Sequence, residues 1–357
     1  MKKYTTEFPG RLMHSFSLPV LIASLFLLFS CAKDEAEPEN DFPEIKKGEG
    51  VFIVNEGNFQ WGNSSLSFYH RESNTMYNGL FKKANGEDLG DIFQSMHIHQ
   101  DHAYLVLNNS GKIEVIDPES CLRTGTISGL VSPRYFLPVN DQEAYVSDLY
   151  GNHLAIVDLE KQEVSGEIPI NGWSEALLLA GNKVLATGME SGYVYVIDPA
   201  NHSLTDSIHA GPGPSAMVKD KNGHVWVLCG GMYDVEEEPL LLQLDVESLE
   251  VLQTIALPGD QTLYSRLSVS PDGKTLYFSG QGIYAFSINR SSPEPEILIS
   301  PEGQVFYGLK ADPHTGEIFV SDAVDFVQKG KVMRYTPEGS LIDHMEAMII
   351  PGDFIFY

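Results

Sequence analysis

The sequence predicts an all-β fold, a seven-bladed β-propeller closed by its C-terminal strand, and two observations carry that prediction. Residues 108–117 (NNSGKIEVID) are restated by residues 151–158 (GNHLAIVD) and 191–198 (SGYVYVID), each copy being a turn, an alternating apolar run and an aspartate. Around each copy lie four short strands, and four strands in a period of about 40 to 45 residues are typical of a propeller blade. With 32 glycines and 20 prolines, the composition suits a β-rich fold dense in turns.

Seven such periods follow one another if the last strand is assigned to the first blade. The predicted innermost strands begin near residues 94, 133, 173, 214, 264, 306 and 351. The segment that starts at Val51 (VFIVNEG) corresponds to a second strand, so residues 351–357 are needed to complete its sheet. Pairing of the two ends would close the ring and remove its open edges. A repeat that runs nearly end to end predicts one domain, at residues 50–357, where length alone would suggest two or three.

The first residues have the pattern of a lipoprotein signal peptide, predicted for residues 1–30. Lys2, Lys3 and Arg11 precede an apolar run that is too short for a membrane anchor. The run ends in Leu-Phe-Ser-Cys31, which resembles a bacterial lipobox and implies lipidation of Cys31. The protein would then be held at the membrane through its N-terminal lipid only.

Residues 31–49 form a predicted flexible, acidic tether, because their Glu, Pro and Asn content cannot bury a core. Lys33-Asp34-Glu35, just after the cysteine, resembles the export signal of lipoproteins displayed on the outer surface of some Gram-negative bacteria. The expected location is therefore the outer membrane, facing the cell surface. An ordinary secretory signal followed by a solvated linker remains the alternative.

The formal net charge of −26 opposes binding to nucleic acid, since the phosphate backbone requires Lys and Arg clusters that the sequence lacks. Cys121 and Cys229 fall in distant blades, so both are expected to be packed thiols rather than a disulfide.

The innermost strands alternate between two kinds of position. Apolar residues recur at one of them, and we expect these to pack between blades: Met96, Tyr135, Ala176, Ala216, Leu267 and Leu309. One residue earlier lies a mostly polar column, which we expect to ring the mouth of the channel: Ser95, Arg134, Glu175, Ser215, Arg266 and Gly308.

A binding face is predicted where the loops between second and third strands meet the entries to the innermost strands. These loops carry aromatic, Met, amide and carboxylate side chains beyond what a hairpin turn requires, and the first of them, NEGNFQWGN, is the richest. The candidate ligand-binding residues are Glu56, Asn58, Phe59, Trp61, Asn108, Asn109, Asp148, Tyr150, Met189, Tyr233, Gln281 and Asp322, with Arg134 and Arg266 at the channel mouth.

Catalytic and metal-binding residues are not predicted. His97, His99 and His102 surround one innermost strand, but the positions equivalent to His97 in other blades hold unrelated residues such as Phe136 and Leu177. The sequence contains no nucleophile elbow, P-loop or zinc-helix pattern.

Several segments together resemble a known family. They are Asn55-Glu56-Gly57-Asn58-Phe59, residues 65–69 (SLSFY), Leu89-Gly90-Asp91, Gln94-Ser95-Met96 and residues 108–117. With these, residues 50–357 resemble the YncE-like (YVTN-type) seven-bladed propeller lipoproteins of Gram-negative gut bacteria, and within them the BtuG-type surface cobalamin-binding lipoproteins. The likeness is strongest in the first two blades.

The resemblance implies that the protein captures cobalamin or a related corrinoid and passes it to a TonB-dependent outer-membrane transporter. Cobalamin would be cargo, and no catalytic cofactor is implied. Arg134 and Arg266 would meet a phosphate of the ligand. Two alternatives remain open, a propeller enzyme of the lactonase or lyase kind and a protein-interaction scaffold without a small ligand.

Overall fold

The computed structural model describes residues 42–232, 237–258, 264–289 and 294–357 of the chain. They form seven four-stranded antiparallel sheets arranged as the blades of a propeller, as predicted. The predicted signal peptide, Cys31 and most of the tether lie outside the described residues. Within the described part of the chain, no helix is long and apolar enough to cross a membrane.

The strands are short and follow one another closely along the chain. The first fifteen, with one helix, are β1 (Gly50–Asn55), β2 (Ser65–His70), β3 (Thr75–Tyr77), α1 (Leu80–Asn85), β4 (Phe93–His99), β5 (His102–Leu107), β6 (Lys112–Ile116), β7 (Arg123–Ile127), β8 (Pro133–Pro138), β9 (Glu143–Asp148), β10 (His153–Asp158), β11 (Glu163–Pro169), β12 (Ser174–Ala180), β13 (Lys183–Gly188), β14 (Tyr193–Asp198) and β15 (Ser203–His209). The others are β16 (Pro214–Lys219), β17 (Val225–Cys229), β18 (Leu240–Leu244), β19 (Val251–Ala256), β20 (Leu267–Val269), β21 (Thr275–Ser279), β22 (Ile283–Ser287), β23 (Glu296–Ile299), β24 (Phe306–Ala311), β25 (Ile318–Asp322), β26 (Lys329–Tyr335), β27 (Leu341–Ile349) and β28 (Pro351–Phe356).

Blade 1 combines the two ends of the described chain, in the order β28-β1-β2-β3 from the channel outwards. Blades 2 to 7 take four consecutive strands each, from β4–β7 to β24–β27. The innermost strands contact one another in succession, and β28 contacts both β24 and β4, which completes the ring.

Closure of the ring by the C-terminal strand is confirmed in detail. Val51 pairs with Phe356 and Ile53 with Phe354 in antiparallel register. Gly50 and Tyr357 exchange two backbone hydrogen bonds, with N···O distances of 3.1 and 3.0 Å. β1 is therefore hydrogen-bonded on both sides, and its six residues are all buried.

The hydrophobic core is divided among the spaces between neighbouring blades. Each space holds one cluster of buried aliphatic and aromatic side chains, drawn from the two sheets that face each other. For example, Tyr145 of blade 3 packs with Val184 and Ile197 of blade 4. Because each blade buries both of its faces, its central strands are apolar nearly throughout, and the fold depends on every neighbour being present.

Two details differ from the sequence-based expectation. The tether ends earlier than residue 49, because Ile45 is only 2% exposed and packs into the cluster between blades 1 and 2. A short helix, α1, follows β3 and buries Leu80 and Phe81 in the same cluster. Cys121 and Cys229 are buried free thiols, as expected.

Candidate functional site

The channel along the ring axis widens into a cavity of about 570 Å³ at the end where the predicted binding loops lie. All seven blades contribute to its lining, and we call it the upper cavity. The predicted ligand-binding residues that line it are Glu56, Phe59, Asn108, Asn109, Arg134, Tyr150, Met189 and Arg266.

A recurrent β-bulge turns side chains into this cavity. In blade 3, Pro133 pairs with Asp148 but Phe136 pairs with Val146, so Arg134 and Tyr135 have no direct partner across the strand pair. Equivalent register shifts occur between the innermost and second strands of blades 1, 2, 4, 5 and 7. A bulge leaves its extra residue unpaired and redirects the side chain. The bulges therefore bring the start of the innermost strands of blades 1 to 5 and 7 to the channel.

Hydroxyl groups on the second strands satisfy the backbone that the bulges leave unpaired. Ser147 Oγ accepts a hydrogen bond from Tyr135 N at 3.0 Å and donates one to Glu175 O of the next blade at 2.6 Å. Ser321 Oγ in blade 7 accepts from Gly308 N at 2.7 Å and donates to Pro351 O of blade 1. Each hydroxyl thus satisfies the backbone at a bulge and joins two blades.

Arg134 and Glu175 form one of two ion pairs at the floor of the upper cavity. Arg134 Nε and Nη2 donate to the two oxygens of Glu175 at 2.8 and 2.6 Å, and Nη1 donates to Gln94 Oε1 at 2.5 Å. Trp173 Nε1 donates to the same carboxylate at 2.7 Å. Burial disfavours the charged guanidinium, but the adjacent Glu175 outweighs that cost and raises the pKa of Arg134.

Glu56 and Arg266 form the second pair. Arg266 Nη2 lies 3.5 Å from Glu56 Oε1, and Tyr307 donates to Glu56 Oε2 at 2.8 Å. Burial raises the pKa of the Glu56 carboxyl, and Arg266 and Tyr307 oppose this shift in part. Gly352 of the closing strand packs directly on this carboxylate, since a Cβ there would lie 2.5 Å from Oε1.

The two ion pairs change one expectation. Arg134 and Arg266 were expected to meet a ligand phosphate, but each guanidinium already faces a buried carboxylate. A phosphate would bring a second negative charge next to Glu175 or Glu56, which is costly at a buried site. The floor of the cavity is thus charge-balanced, and a ligand phosphate is not expected there.

The rim of the cavity is aromatic and exposed. Phe59 and Tyr150 line the cavity and are 61% and 74% exposed. Trp61, on the same loop as Phe59, is 70% exposed and is not among the lining residues. Asp91 Oδ2 accepts hydrogen bonds from Gln60 N at 2.8 Å and Asn109 Nδ2 at 2.5 Å, which ties the first binding loop to the second. The loops are therefore preorganised while their rings remain open to solvent.

Other predicted residues lie away from the cavity lining. Asp148 and Asp322 stabilise their own loops: Asp148 accepts from the backbone N–H of Ser132, Tyr150 and Gly151, and Asp322 from those of Val305 and Val324. Both cap their own loops, because a carboxylate at the end of a strand is well placed for adjacent N–H groups. Their contact with a ligand stays a prediction. Asn58 connects the first loop to blade 7 through a hydrogen bond to Phe326 O. Gln281 is exposed and lies outside the cavity. Tyr233 is not among the described residues.

Thirteen of the 21 lining residues were not among the predicted ligand-binding set, and they include Trp173, Glu175, Tyr135 and Tyr307. Glu175 was at least placed at the channel mouth. Tyr135 was expected to pack between blades, and that prediction was wrong because the bulge shifts it to the channel. The sequence did contain a signal for three of these residues. Tyr135, Trp173 and Tyr307 each lie within two positions of a residue in the predicted channel-mouth column.

A second cavity, of about 520 Å³, occupies the other half of the channel, and we call it the lower cavity. Its lining includes Met96, His97, Phe136, Met217 and Lys310, and it shares Tyr135 and Arg266 with the upper cavity. Several of the apolar positions expected to pack between blades face this space as well. Among the described residues, no group of three His, Cys, Asp or Glu side chains is arranged to hold a metal ion.

We expect His97 to make the fold sensitive to acid. Burial, then the charge of Lys310 and the proximity of His99, lower the pKa of His97 to about 4. An unfolded chain binds the proton near pH 6.5, so stability is full above that pH and falls as the pH drops towards 4. The loss between pH 7.5 and pH 5 should be roughly 2 kcal/mol.

His97→Met should remove this loss, because Met217 occupies the equivalent position in blade 5 without difficulty. Urea unfolding of the wild type and the variant at both pH values measures it, with exposed His344→Gln as the control. Equal losses in the wild type and His97→Met would contradict the assignment.

Comparisons with known proteins agree with the architecture. A family model described as "Domain of unknown function (DUF5074)" matches residues 49–349. No curated protein matches the chain.

Among solved structures, a Lactobacillus plantarum protein is similar with a TM-score of 0.67 at 15% identity, covering 87% of this chain and 99% of its own. The Pseudomonas aeruginosa periplasmic gluconolactonase is similar with a TM-score of 0.66 at 14% identity, covering 86% of this chain and 99% of its own. A quinonprotein alcohol dehydrogenase-like protein from Bacteroides thetaiotaomicron is similar with a TM-score of 0.66 at 16% identity, covering 87% of this chain and 78% of its own. At these identities the likeness concerns the fold alone.

Proposed function

The chain belongs to the DUF5074 family, and from that premise we propose that it captures cobalamin or a related corrinoid in the upper cavity. The ligand would be cargo, delivered to a TonB-dependent outer-membrane transporter. Lipidation at Cys31 would hold the propeller at the outer membrane, facing the cell surface. These statements extend the resemblance seen in the sequence.

The observation that supports this proposal best is the exposed aromatic rim around a balanced polar floor. Phe59, Trp61 and Tyr150 each leave more than half of their side chains in water. Exposed aromatic groups at the mouth of a cavity favour a ligand that offers broad apolar area. A corrinoid has such an area in its macrocycle, and it is too broad to enter the cavity fully, so it would lie across the rim.

The polar lining suits the amide groups around a corrinoid. Asn108 and Asn109 line the cavity on the blade 2 side, and Gln94 lies at its floor. The Nδ2 groups of Asn108 and Asn109 already donate to backbone carbonyls of blade 3 and to Asp91. Their Oδ1 atoms can accept hydrogen bonds from neutral amide substituents without a charge penalty. The two ion pairs add no net charge to the floor, which favours a largely neutral ligand over a polyanion.

Titration of the purified protein with cyanocobalamin tests the proposal. We expect a one-to-one complex of micromolar or tighter affinity, measured by calorimetry. Trp61→Ala and Tyr150→Ala should each weaken binding by about 1 kcal/mol or more if the ring stacks on the ligand. Because both side chains are exposed, neither change should alter the unfolding temperature.

Tyr193→Ala is the matched control, since this partly exposed tyrosine packs against His209 on the outer strands of blade 4 and is absent from the cavity lining. It should bind cyanocobalamin like the wild type. Wild-type protein that shows no saturable binding would refute corrinoid capture while leaving the fold intact.

A further inference from the structure

The lower cavity is built differently from the upper one. Its wall is mainly apolar, with Met96, Phe136, Leu177, Met217 and Leu267 among the lining residues. Alanine (Ala176 and Ala216) occupies the positions of blades 4 and 5 that correspond to Tyr135 in blade 3, and these small side chains leave the space open. Methionine side chains adapt readily to the shape of an apolar guest. The wall therefore suits a flexible hydrocarbon.

Lys310 is a cation in this wall with hydrogen-bond donors to spare. Lys310 Nζ donates to Asp353 Oδ1 at 3.1 Å. An ammonium group has three donors, and no other hydrogen-bond partner of Nζ is found within the described residues. The Lys310 side chain is 37% exposed, so its head group is within reach of a ligand in the cavity.

We propose that the lower cavity binds an aliphatic monocarboxylate, with its chain against the apolar wall and its carboxylate hydrogen-bonded to Lys310 Nζ. Spare N–H donors on a cation favour an anionic acceptor, and charge-assisted hydrogen bonds are stronger than neutral ones. The contact with hydrocarbon supplies the remaining binding energy through burial of apolar surface.

The charged groups around the lower cavity favour a ligand with a single negative charge. Arg266 forms part of the roof, but Glu56 offsets it from the upper side. Asp353 neutralises part of the charge of Lys310, and a dianion would be repelled by it. His97 lines the same space and is neutral at pH 7, with His99 nearby on the same strand. A single carboxylate is thus the best match.

This inference is separate from corrinoid capture. The two cavities are divided by Arg266, which donates to Tyr135 Oη at 3.3 Å, and they share only four lining residues. Occupancy of the lower cavity does not require a ligand above it.

Octanoate is the probe for the test, followed by NMR of protein labelled at the methionine methyl groups. We expect a saturable shift of the Met96 and Met217 signals, and a rise in the pKa of His97 from about 4, because a bound carboxylate stabilises its protonated form. Octan-1-amine has the same chain with the opposite charge and should produce neither effect.

Two variants test the charge of Lys310 and the free volume of the lower cavity separately. Lys310→Met should weaken octanoate binding by about tenfold or more, the expected cost of losing a charge-assisted hydrogen bond. Ala176→Leu keeps every charge but fills the cavity, and should abolish binding. Lys161→Met is the matched control, because Lys161 forms a similar pair with Asp158 on the outer surface, at 2.8 Å.

The proposal is overturned if octanoate leaves Met96 and Met217 unshifted in the wild type, if octan-1-amine binds equally well, or if Lys310→Met binds octanoate as tightly as Lys161→Met does. A loss of binding in both Lys310→Met and Ala176→Leu, with folding retained in each, supports it.

Discussion

Deletion of residues 350–357 is expected to abolish the cooperative unfolding transition of the propeller. The deletion removes β28, the innermost strand of blade 1, whose Phe354 is fully buried between blades 7 and 1. It also removes Pro351 O, which accepts from Ser321, and Gly352, which packs on Glu56. The loss should exceed the roughly 5 to 15 kcal/mol that stabilises a typical domain. Circular dichroism during heating, compared with the intact chain, measures the result.

A rearranged chain provides the control for this deletion. Tyr357 and Gly50 are hydrogen-bonded neighbours, so residues 350–357 can be placed before Gly50 through a two-residue turn. The turn then replaces residues 42–49 and with them the buried Ile45. Blade 1 would then be built like the other blades, with its innermost strand preceding its second strand. This chain should unfold cooperatively, whereas a truncated protein that unfolds like the intact one would show that the closing strand is dispensable.

Phe354→Ala is a milder form of the same experiment. It leaves the backbone pairing of β28 intact and should cost about 3 to 5 kcal/mol, the usual range for removing a buried phenylalanine side chain. A graded series, with the point variant between the intact and truncated chains, would show that packing and strand pairing at the seam both contribute.

The closing strand was predictable from the sequence because it depends on local pattern. Alternation of apolar residues with period two, and turn residues at regular spacing, identify strands without knowledge of the fold. The count of blades then follows from the order of strands within each repeat, and only blade 1 lacks an innermost strand at its start. The first loop of the predicted binding face was selected in the same way, because Phe59 and Trp61 exceed the needs of a hairpin. Its role in binding stays a prediction.

The floor of the upper cavity was harder to predict, because a bulge depends on how two strands pair. The skipped residues at Arg134 and Tyr135 change which side chains face the channel, and the apolar pattern of β8 contains no sign of the skip. A prediction based on strict alternation therefore assigned Tyr135 to the space between blades.

The loop caps show a structural role that the sequence analysis did not assign. Asp148 and Asp322 each follow a serine at the end of a second strand, and in both blades the serine fixes the bulge while the aspartate caps the loop. A residue pair that recurs at the same place in two repeats is better explained by the structure of the repeat than by one ligand. That recurrence was visible in the sequence.

Arg134→Ala is expected to destabilise the protein by about 3 to 5 kcal/mol, since it leaves a buried carboxylate without its cation. Glu175 is 5% exposed, and Trp173 Nε1 would be the one remaining side-chain donor to it among the described contacts. The effect is large because the cost comes from the unpaired charge, whereas the pair itself gains little over apolar residues of similar size.

The double variant Arg134→Leu, Glu175→Leu separates these contributions. With both charges removed, stability should return to within about 1 to 2 kcal/mol of the wild type, so removing the Glu175 carboxylate as well should restore stability and not lower it further. Lys161→Ala, which breaks an exposed pair with Asp158, should leave stability nearly unchanged and serves as the control. Urea unfolding at neutral pH measures all four proteins. A double variant as unstable as Arg134→Ala would contradict this account. It would show that the ion pair itself stabilises the floor of the upper cavity and that apolar side chains cannot replace it.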